Sequence, residues 1–293
     1  MRAPWVVLDP VAHGRVGGAL ADALAQRAAA DPSLVVRLGA RRPRRPGIVP
    51  CTYGDEATTA AALAGVHALF LAAPSDDADV GPLLACLAQA AASGVRRVVL
   101  LSADGVDVRP HPMQALEAAV RASGLAWTIL RPNTFMQNYA TGTALDGLRS
   151  RRAILEPAGT GRSAFVDVRD VADVAAAVLA AAEAEHATRH AGRTYVLTGP
   201  EALDRAAVAA AFTAALGEPV TYIDAPPQAF AALLAASGAP DPLITMLGGF
   251  YGDIRAGRMA ALSDDVATVT GAVPRPFAAF ATEVARALRP PRD

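Results

Sequence analysis

The stretch Val6-Val7-Leu8-Asp9-Pro10-Val11-Ala12-His13-Gly14-Arg15-Val16-Gly17-Gly18 constrains this chain more than any other. It reads as a short apolar strand, a tight loop and a helix opening near Arg15. An α/β sheet places its ligand at such a junction, because backbone N–H groups at the helix N-terminus face the crevice beyond the strand end. In glycine patterns that grip a pyrophosphate, the first glycine makes the turn. The next lets the backbone approach phosphate, and the last packs helix on strand. Gly14 and Gly17 hold the last two places, and Val11 holds the first. Asp9 closes the strand, and Pro10 removes one N–H donor. A carboxylate aimed at a pyrophosphate repels it. The stretch therefore predicts the fold, together with a phosphate site damaged at its centre.

The rest of the first half repeats the strand–helix rhythm. Helical spacing of Val16, Leu20 and Leu24 supports a helix over 16–30, and 34–39 is a second strand. Asp55 is placed to cap a helix running to Leu63. Strands are predicted over 68–74, 95–101 and 126–132, with helices over 79–94 and 112–123 between them. Short breaks between alternating elements predict a parallel sheet covered on both faces. After Asn133 the rhythm changes. A helix is expected over 135–148, short strands at 153–155 and 165–167, a helix over 170–182 and a strand over 194–198. A helix to Leu216, a strand over 220–223 and alanine-rich helices follow. The expected division is 1–150 for the sheet domain and 151–293 for an interleaved C-terminal part that forms a smaller substrate lobe.

Composition narrows the function classes. Apolar residues make up 53% of 293 and charged ones 19%, enough for a sizeable core. A net charge of −1 argues against nucleic acid or a membrane surface as a partner. No run is long and uncharged enough to suggest a bilayer span. Two cysteines, Cys51 and Cys86, and no visible signal peptide suggest a reducing, cytoplasmic setting. All 27 basic residues are arginine; there is no lysine. No His/Cys cluster has metal-ligand spacing, so no metal is expected.

Several stretches together resemble one family. They are Gly14-Arg15-Val16-Gly17, Ala61-Ala62-Leu63-Ala64-Gly65-Val66 and Ser123-Gly124-Leu125-Ala126-Trp127-Thr128-Ile129-Leu130-Arg131-Pro132. Phe135-Met136-Gln137-Asn138, 165–172, 195–200 and the tail from Ser263 to Phe277 continue it. The chain resembles the NmrA-like, atypical short-chain dehydrogenase/reductases over nearly its whole length. The resemblance implies a Rossmann-like, doubly wound α/β sheet with a smaller C-terminal α/β lobe. It also implies an NADP(H)-type cofactor, and reduction of a quinone, azo compound or similar substrate, or else redox sensing without catalysis. The family loop usually reads Thr-Gly-Ala-Thr-Gly, where this chain has Pro10-Val11-Ala12-His13-Gly14. The family's Tyr-x-x-x-Lys dyad cannot exist without lysine, and Ala103 replaces a usual serine beside Ser102.

Candidate sites follow from these placements. Gly14, Arg15 and Gly17 form the phosphate loop, or only permit helix–strand packing. Arg41 and Arg42 follow the second strand, where a guanidinium can pair a ribose 2′-phosphate, or they belong to a solvated basic turn. Asp55 stands where the family has an acidic residue near adenine, and it also suits a helix cap. Ala73 lies at the end of the strand over 68–74, beside the expected cofactor. Asp9 and His13 could form an acid/base pair across the loop, with Asp9 orienting the imidazole. Ser102, at a strand end, could contact substrate or cap a turn. His111 opens the next helix. Asn133, Phe135, Gln137, Asn138 and Tyr139 are expected in the substrate wall, with Met246 and Tyr251 as closing residues or core. Arg131 reads as a structural ion-pair partner.

Three functions remain open on the sequence. One is an NADP(H)-dependent reductase of a quinone, enone or aromatic carbonyl in secondary metabolism. The second is a cofactor-independent cyclase, dehydratase or isomerase using the converted crevice through Asp9, His13 and Ser102. The third is a non-catalytic dinucleotide sensor. A small-molecule substrate and a monomer or homodimer are expected.

Overall fold

The computed structural model describes residues 5–12, 14–73, 79–108 and 111–288. Its first elements are β1 (Trp5–Asp9), α1 (Arg15–Ala30), β2 (Leu34–Ala40), β3 (Ile48–Pro50), α2 (Glu56–Leu63), β4 (Ala68–Ala72) and α3 (Gly81–Ala92). Next come β5 (Arg97–Leu101), α4 (Met113–Ala122), β6 (Ala126–Pro132), a 3-10 turn (Met136–Ala140), α5 (Gly142–Ser150) and β7 (Ala153–Glu156). Then follow α6 (Val168–Ala180), α7 (Glu183–Arg189), β8 (Arg193–Leu197), α8 (Arg205–Leu216) and β9 (Thr221–Asp224). The last are α9 (Pro227–Ala236), α10 (Asp241–Arg255), α11 (Asp265–Thr270) and α12 (Phe277–Leu288). The chain forms two compact units, each assembled from three segments. One is Met1–Pro132, Val168–Leu197 and Ala267–Gly271; the other is Asn133–Asp167, Thr198–Val266 and Ala272–Asp293. The first break thus falls where β6 ends, and the chain returns to the first unit to supply α6, α7 and β8.

In the first unit a seven-stranded sheet has the order β3-β2-β1-β4-β5-β6-β8, with every neighbouring pair parallel. Strand order reverses between β1 and β4, which makes the carboxyl ends of these strands the switch-point crevice of a Rossmann-like sheet. All five residues of β4 are buried, as a central parallel strand covered on both faces requires. Leu8, Leu69, Leu71, Val98, Leu100 and Ile129 pack with Leu63, Leu83, Leu87, Leu116 and Val120 of α2, α3 and α4. The intervening residues Val7, Phe70 and Val99 are equally buried, on the alternate face where α1 and α6 lie. Buried Arg97 fits because its Nη1 donates to the carbonyls of Val178, Leu179 and Ala181 at 2.8, 2.8 and 3.0 Å. Those are the acceptors left over at the α6 C-terminus, where a cation also complements the helix dipole.

The second unit holds a two-stranded parallel pair, β7 with β9. Its core is aromatic: Tyr139, Phe165, Phe212 and Phe277 meet with ring centroids 5.2–5.9 Å apart. Buried beside them, Arg205 Nε donates to Glu156 Oε2 at 2.8 Å and Nη1 to Ser163 Oγ at 2.8 Å.

Three local expectations are corrected. The helix expected over 135–148 is a 3-10 turn and then α5, interrupted where Thr141 is extended and Gly142 takes φ 59°. That positive φ suits glycine and stops a continuous helix. The strand expected over 165–167 contributes an isolated bridge, Phe135 with Val166. The edge strand β3 was not anticipated, because three residues ending in proline carry almost no periodic signal. Among the described residues, no helix is long and apolar enough to cross a membrane.

Candidate functional site

The sequence places its loop candidates at one edge of the first unit, because all seven strands run the same way. Gly14, Arg15 and Gly17 follow β1, Arg41 and Arg42 follow β2, Asp55 follows β3, and Ala73 follows β4. His13 lies outside the described residues.

Val11 is the centre of the loop. Its N–H donates to Asp9 Oδ1 at 3.0 Å, and its carbonyl accepts from Gly14 N at 2.7 Å. Ala12 N donates to the Gly39 carbonyl of β2 at 3.2 Å. A Cβ on Gly17 would stand 2.6 Å from the Val11 carbonyl carbon and would collide with its oxygen. Only a glycine at 17 lets α1 sit this close to the loop, so its packing role is geometric fact. Gly14 is the N-cap of α1 and has no side chain to cover the helix N-terminus. The N–H groups of Val11, Ala12 and Gly14 are, however, committed within the protein.

Asp9 differs most from expectation. It is 0% exposed, so it lies beneath the loop and does not face the crevice or reach a substrate. Burial raises its carboxyl from 3.8 to about 7, against the opposing hydrogen bond from Val11. Near neutrality a large fraction is therefore uncharged, which removes much of the repulsion expected toward a pyrophosphate. Among the described residues its Oδ2 has no hydrogen-bond partner, and the Tyr53 hydroxyl is buried in the same region. Burial pushes Tyr53 well above its usual value, with contributions from Cys86, Cys51 and Asp9. Burial likewise pushes Cys51 up to about 11 and Cys86 up to about 12. Both thiols are free, buried and inert at neutral pH.

Arg41 and Arg42 are exposed directly beyond β2, and neither forms an ion pair among the described residues. Asp55 caps α2, its Oδ1 accepting from Thr58 N at 3.2 Å. Ala73 is half-buried.

Ser102 belongs to an internal network. It is 8% exposed, and its Oγ donates to Glu117 Oε1 at 2.7 Å. Arg131 forks onto Glu117, Nε to Oε1 at 2.9 Å and Nη2 to Oε2 at 2.8 Å, and its Nη1 reaches Asp107 at 2.8 Å. Burial alone would raise Glu117; hydrogen bonds from Arg131 and Ser102 outweigh it together and hold the carboxyl below its usual value. Ser102 thus serves this buried carboxylate, and Arg131 is the ion-pair residue the sequence suggested. His111 is half-buried at the start of α4, its Nδ1 accepting from Met113 N at 3.1 Å.

The substrate-wall candidates lie in the second unit and divide between core and surface. Asn133 is 5% exposed, with Nδ2 donating to the Met259 carbonyl at 3.3 Å and Oδ1 accepting from Thr134 N at 2.7 Å. Tyr139, expected on the wall, is 1% exposed at the middle of the aromatic cluster. Its hydroxyl donates to Glu156 Oε2 at 3.2 Å, so it is core. Phe135 is half-buried, and Asn138 is exposed. Gln137 Nε2 donates to Asp167 Oδ1 at 2.9 Å. Tyr251 packs on Phe230 and Phe250, while Met246 is exposed on α10. Sequence reasoning missed the Arg205–Glu156 pair entirely; nothing in the local pattern at 205 distinguishes a buried arginine from a surface one. Among the described residues no three His, Cys, Asp or Glu side chains gather as metal ligands.

A parallel sheet with this strand order and this loop defines a nucleotide-binding α/β protein. A family model described as NAD(P)H-binding matches residues 12–182, more than half of the chain. The chain belongs to this NAD(P)H-binding family, among its NmrA-like, atypical short-chain dehydrogenase/reductases. It is 35% identical to a (4-alkanoyl-5-oxo-2,5-dihydrofuran-3-yl)methyl phosphate reductase of Streptomyces griseus, over 97% of this chain and 100% of that protein. It is 32% identical to an NAD(P)H azoreductase of Xenophilus azovorans, over 79% and 80% of the two chains. A quinone oxidoreductase of Escherichia coli, solved with NADPH, superposes with a TM-score of 0.82 at 25% identity, covering 95% of this chain and 99% of the other.

Proposed function

We propose that this protein is an NADP(H)-dependent reductase of a conjugated carbonyl compound, an enone or quinone, in secondary metabolism. The observation that carries the reading is the pair Arg41 and Arg42, exposed and without acidic partners directly beyond β2. The Ala12–Gly39 hydrogen bond ties this strand end to the glycine loop. A ribose 2′-phosphate needs a guanidinium at that strand end. The reductase of an oxo-dihydrofuran substrate in Streptomyces griseus, similar over the full length, supports the substrate class.

The fit of a dinucleotide rests on three features. Gly17 brings α1 against the loop, the N-terminus of α1 carries no side-chain cap and suits a diphosphate, and Asp9 is buried with its carboxyl raised to about 7. The nicotinamide supplies the hydride, so the protein's own part is binding, orientation and exclusion of water. Arg41 and Arg42 hold the 2′-phosphate, and Asp55 fixes the segment after β3 by capping α2. With no lysine in the chain, no Tyr/Lys pair moves the proton.

NADPH titration followed by nicotinamide fluorescence tests the reading. Saturable binding, with oxidation of NADPH on adding a quinone or enone, is expected. No binding at millimolar cofactor overturns it. A non-redox conversion is the second reading, favoured by the inward commitment of the Val11, Ala12 and Gly14 N–H groups. Turnover of a substrate without any nicotinamide would establish it in place of the first.

A further inference from the structure

We propose that Asp9 is a positioning residue for the cofactor: its buried carboxyl fixes Val11 beneath the dinucleotide phosphates, and losing its proton weakens dinucleotide binding. The inference rests on the cofactor reading above and deepens it, by assigning control of that site to a group that touches no ligand.

The geometry is specific to this chain. Asp9 is 0% exposed at the last position of β1. Oδ1 is occupied by the Val11 N–H, and Oδ2 is buried with no partner among the described residues. A protonated carboxyl leaves one uncharged oxygen for Val11 and carries its hydrogen on the other. An ionised one places a full negative charge in a site that offers a single hydrogen bond. That is an expensive state for a buried carboxylate. Val11 transmits the change, because its carbonyl holds Gly14 N at 2.7 Å and lies against Gly17.

Asp9 forms no ion pair among the described residues. Tyr53 and Cys51 follow or end β3, Cys86 is on α3, and all three are held protonated by burial. On β2, Arg37 spends its guanidinium on the carbonyls of Ala62 and Ala64, and β4 carries no titratable side chain. Arg15 is exposed on α1, and His13 lies outside the described residues. The raised value of about 7 agrees with this surrounding.

Binding an anionic diphosphate above the loop makes ionisation of Asp9 harder still, so the bound state holds the proton more tightly than the free state. Linkage then requires affinity to fall as pH rises through the free carboxyl's range, with a proton taken up on binding.

The test measures the NADPH dissociation constant of the full chain from about pH 6 to about pH 8.5, for wild type and Asp9→Asn, where about threefold to tenfold weakening is expected for wild type. Asparagine keeps an oxygen for the Val11 N–H and a hydrogen on the other atom, so it mimics the protonated form. Its curve should keep only the slope due to the ligand's own 2′-phosphate. Parallel curves for the two proteins overturn the inference and leave the cofactor reading standing. Absence of NADPH binding at every pH overturns both. Should Asp9→Asn fail to fold, calorimetry of wild type near pH 7.5 in two buffers of different ionisation enthalpy decides alone. Proton uptake by the protein supports the inference, and none refutes it.

Discussion

Gly17 stands so close to Val11 that no side chain fits between α1 and the loop: a Cβ there would lie 2.6 Å from the Val11 carbonyl carbon. The colliding atoms are backbone, so nothing can swing aside. Gly17→Ala should push the loop away from the helix N-terminus and cost about 1–3 kcal/mol of stability. Denaturant melts check the stability, and NADPH titration of the still-folded variant should show at least about tenfold weaker binding. Unchanged binding would mean that phosphate contacts do not depend on this packing.

Arg41→Ala and Arg42→Ala address the cofactor's identity. Removing a guanidinium from a 2′-phosphate should weaken NADPH by about tenfold to a hundredfold while NADH changes less than about twofold. Parallel titrations with the two nucleotides measure this. Both arginines are exposed, so stability should stay within about 0.5 kcal/mol of wild type.

Arg131→Met tests the network beneath Ser102. Glu117 is 2% exposed and would keep only Ser102 and Arg121, whose Nη2 bonds Oε2 at 2.9 Å, so losing the forked pair should cost about 1.5–3 kcal/mol at neutral pH. The pH dependence carries a sign. Glu117 titrates below its ordinary 4.5 in the folded protein. Its contribution is therefore present above that value and drains away as pH falls through the folded range. In Arg131→Met this acid loss should shrink, since the Arg131 hydrogen bonds are gone while Arg121 and Ser102 still hold the carboxyl down. Thermal melts at stepped pH below neutrality compare the two.

Tyr139→Phe separates core from substrate wall. Only the hydroxyl bonded to Glu156 is removed, so a loss of about 1 kcal/mol is expected, with kcat and KM for the eventual substrate within about twofold of wild type. Arg205→Leu should behave differently. It strips Glu156 of its buried partner and should cost about 3–5 kcal/mol. Urea denaturation orders the two variants, and a substantial KM change in Tyr139→Phe would return the residue to the site.

Much of the fold was legible because its signals are local. The apolar run at 126–132 matches β6 end to end, and the strand expected over 68–74 starts with β4, which ends at Ala72. Asp55 capped the helix predicted for it, since a cap needs only residues three positions apart. Arg131 could be assigned to an ion pair, although its partner Glu117 could not be named. The site was less legible. A carboxylate at a strand end beside a glycine loop reads as exposed and reactive, yet Asp9 is covered from all sides. Ser102 at a strand end and Tyr139 in a 3-10 turn carry the same ambiguity, because a hydroxyl serves a ligand or a buried carboxylate equally well.

By itself the sequence determined the parallel, doubly wound architecture and the glycine loop that joins its first strand to its first helix. Hydrophobic periodicity, glycine spacing and caps act over a few residues and are written along the chain. Only the tertiary structure decided what Asp9, Ser102, Tyr139 and Arg205 do. Burial, and the partners that burial brings or withholds, come from segments far apart in sequence, and those fix whether a polar group is charged, satisfied or exposed.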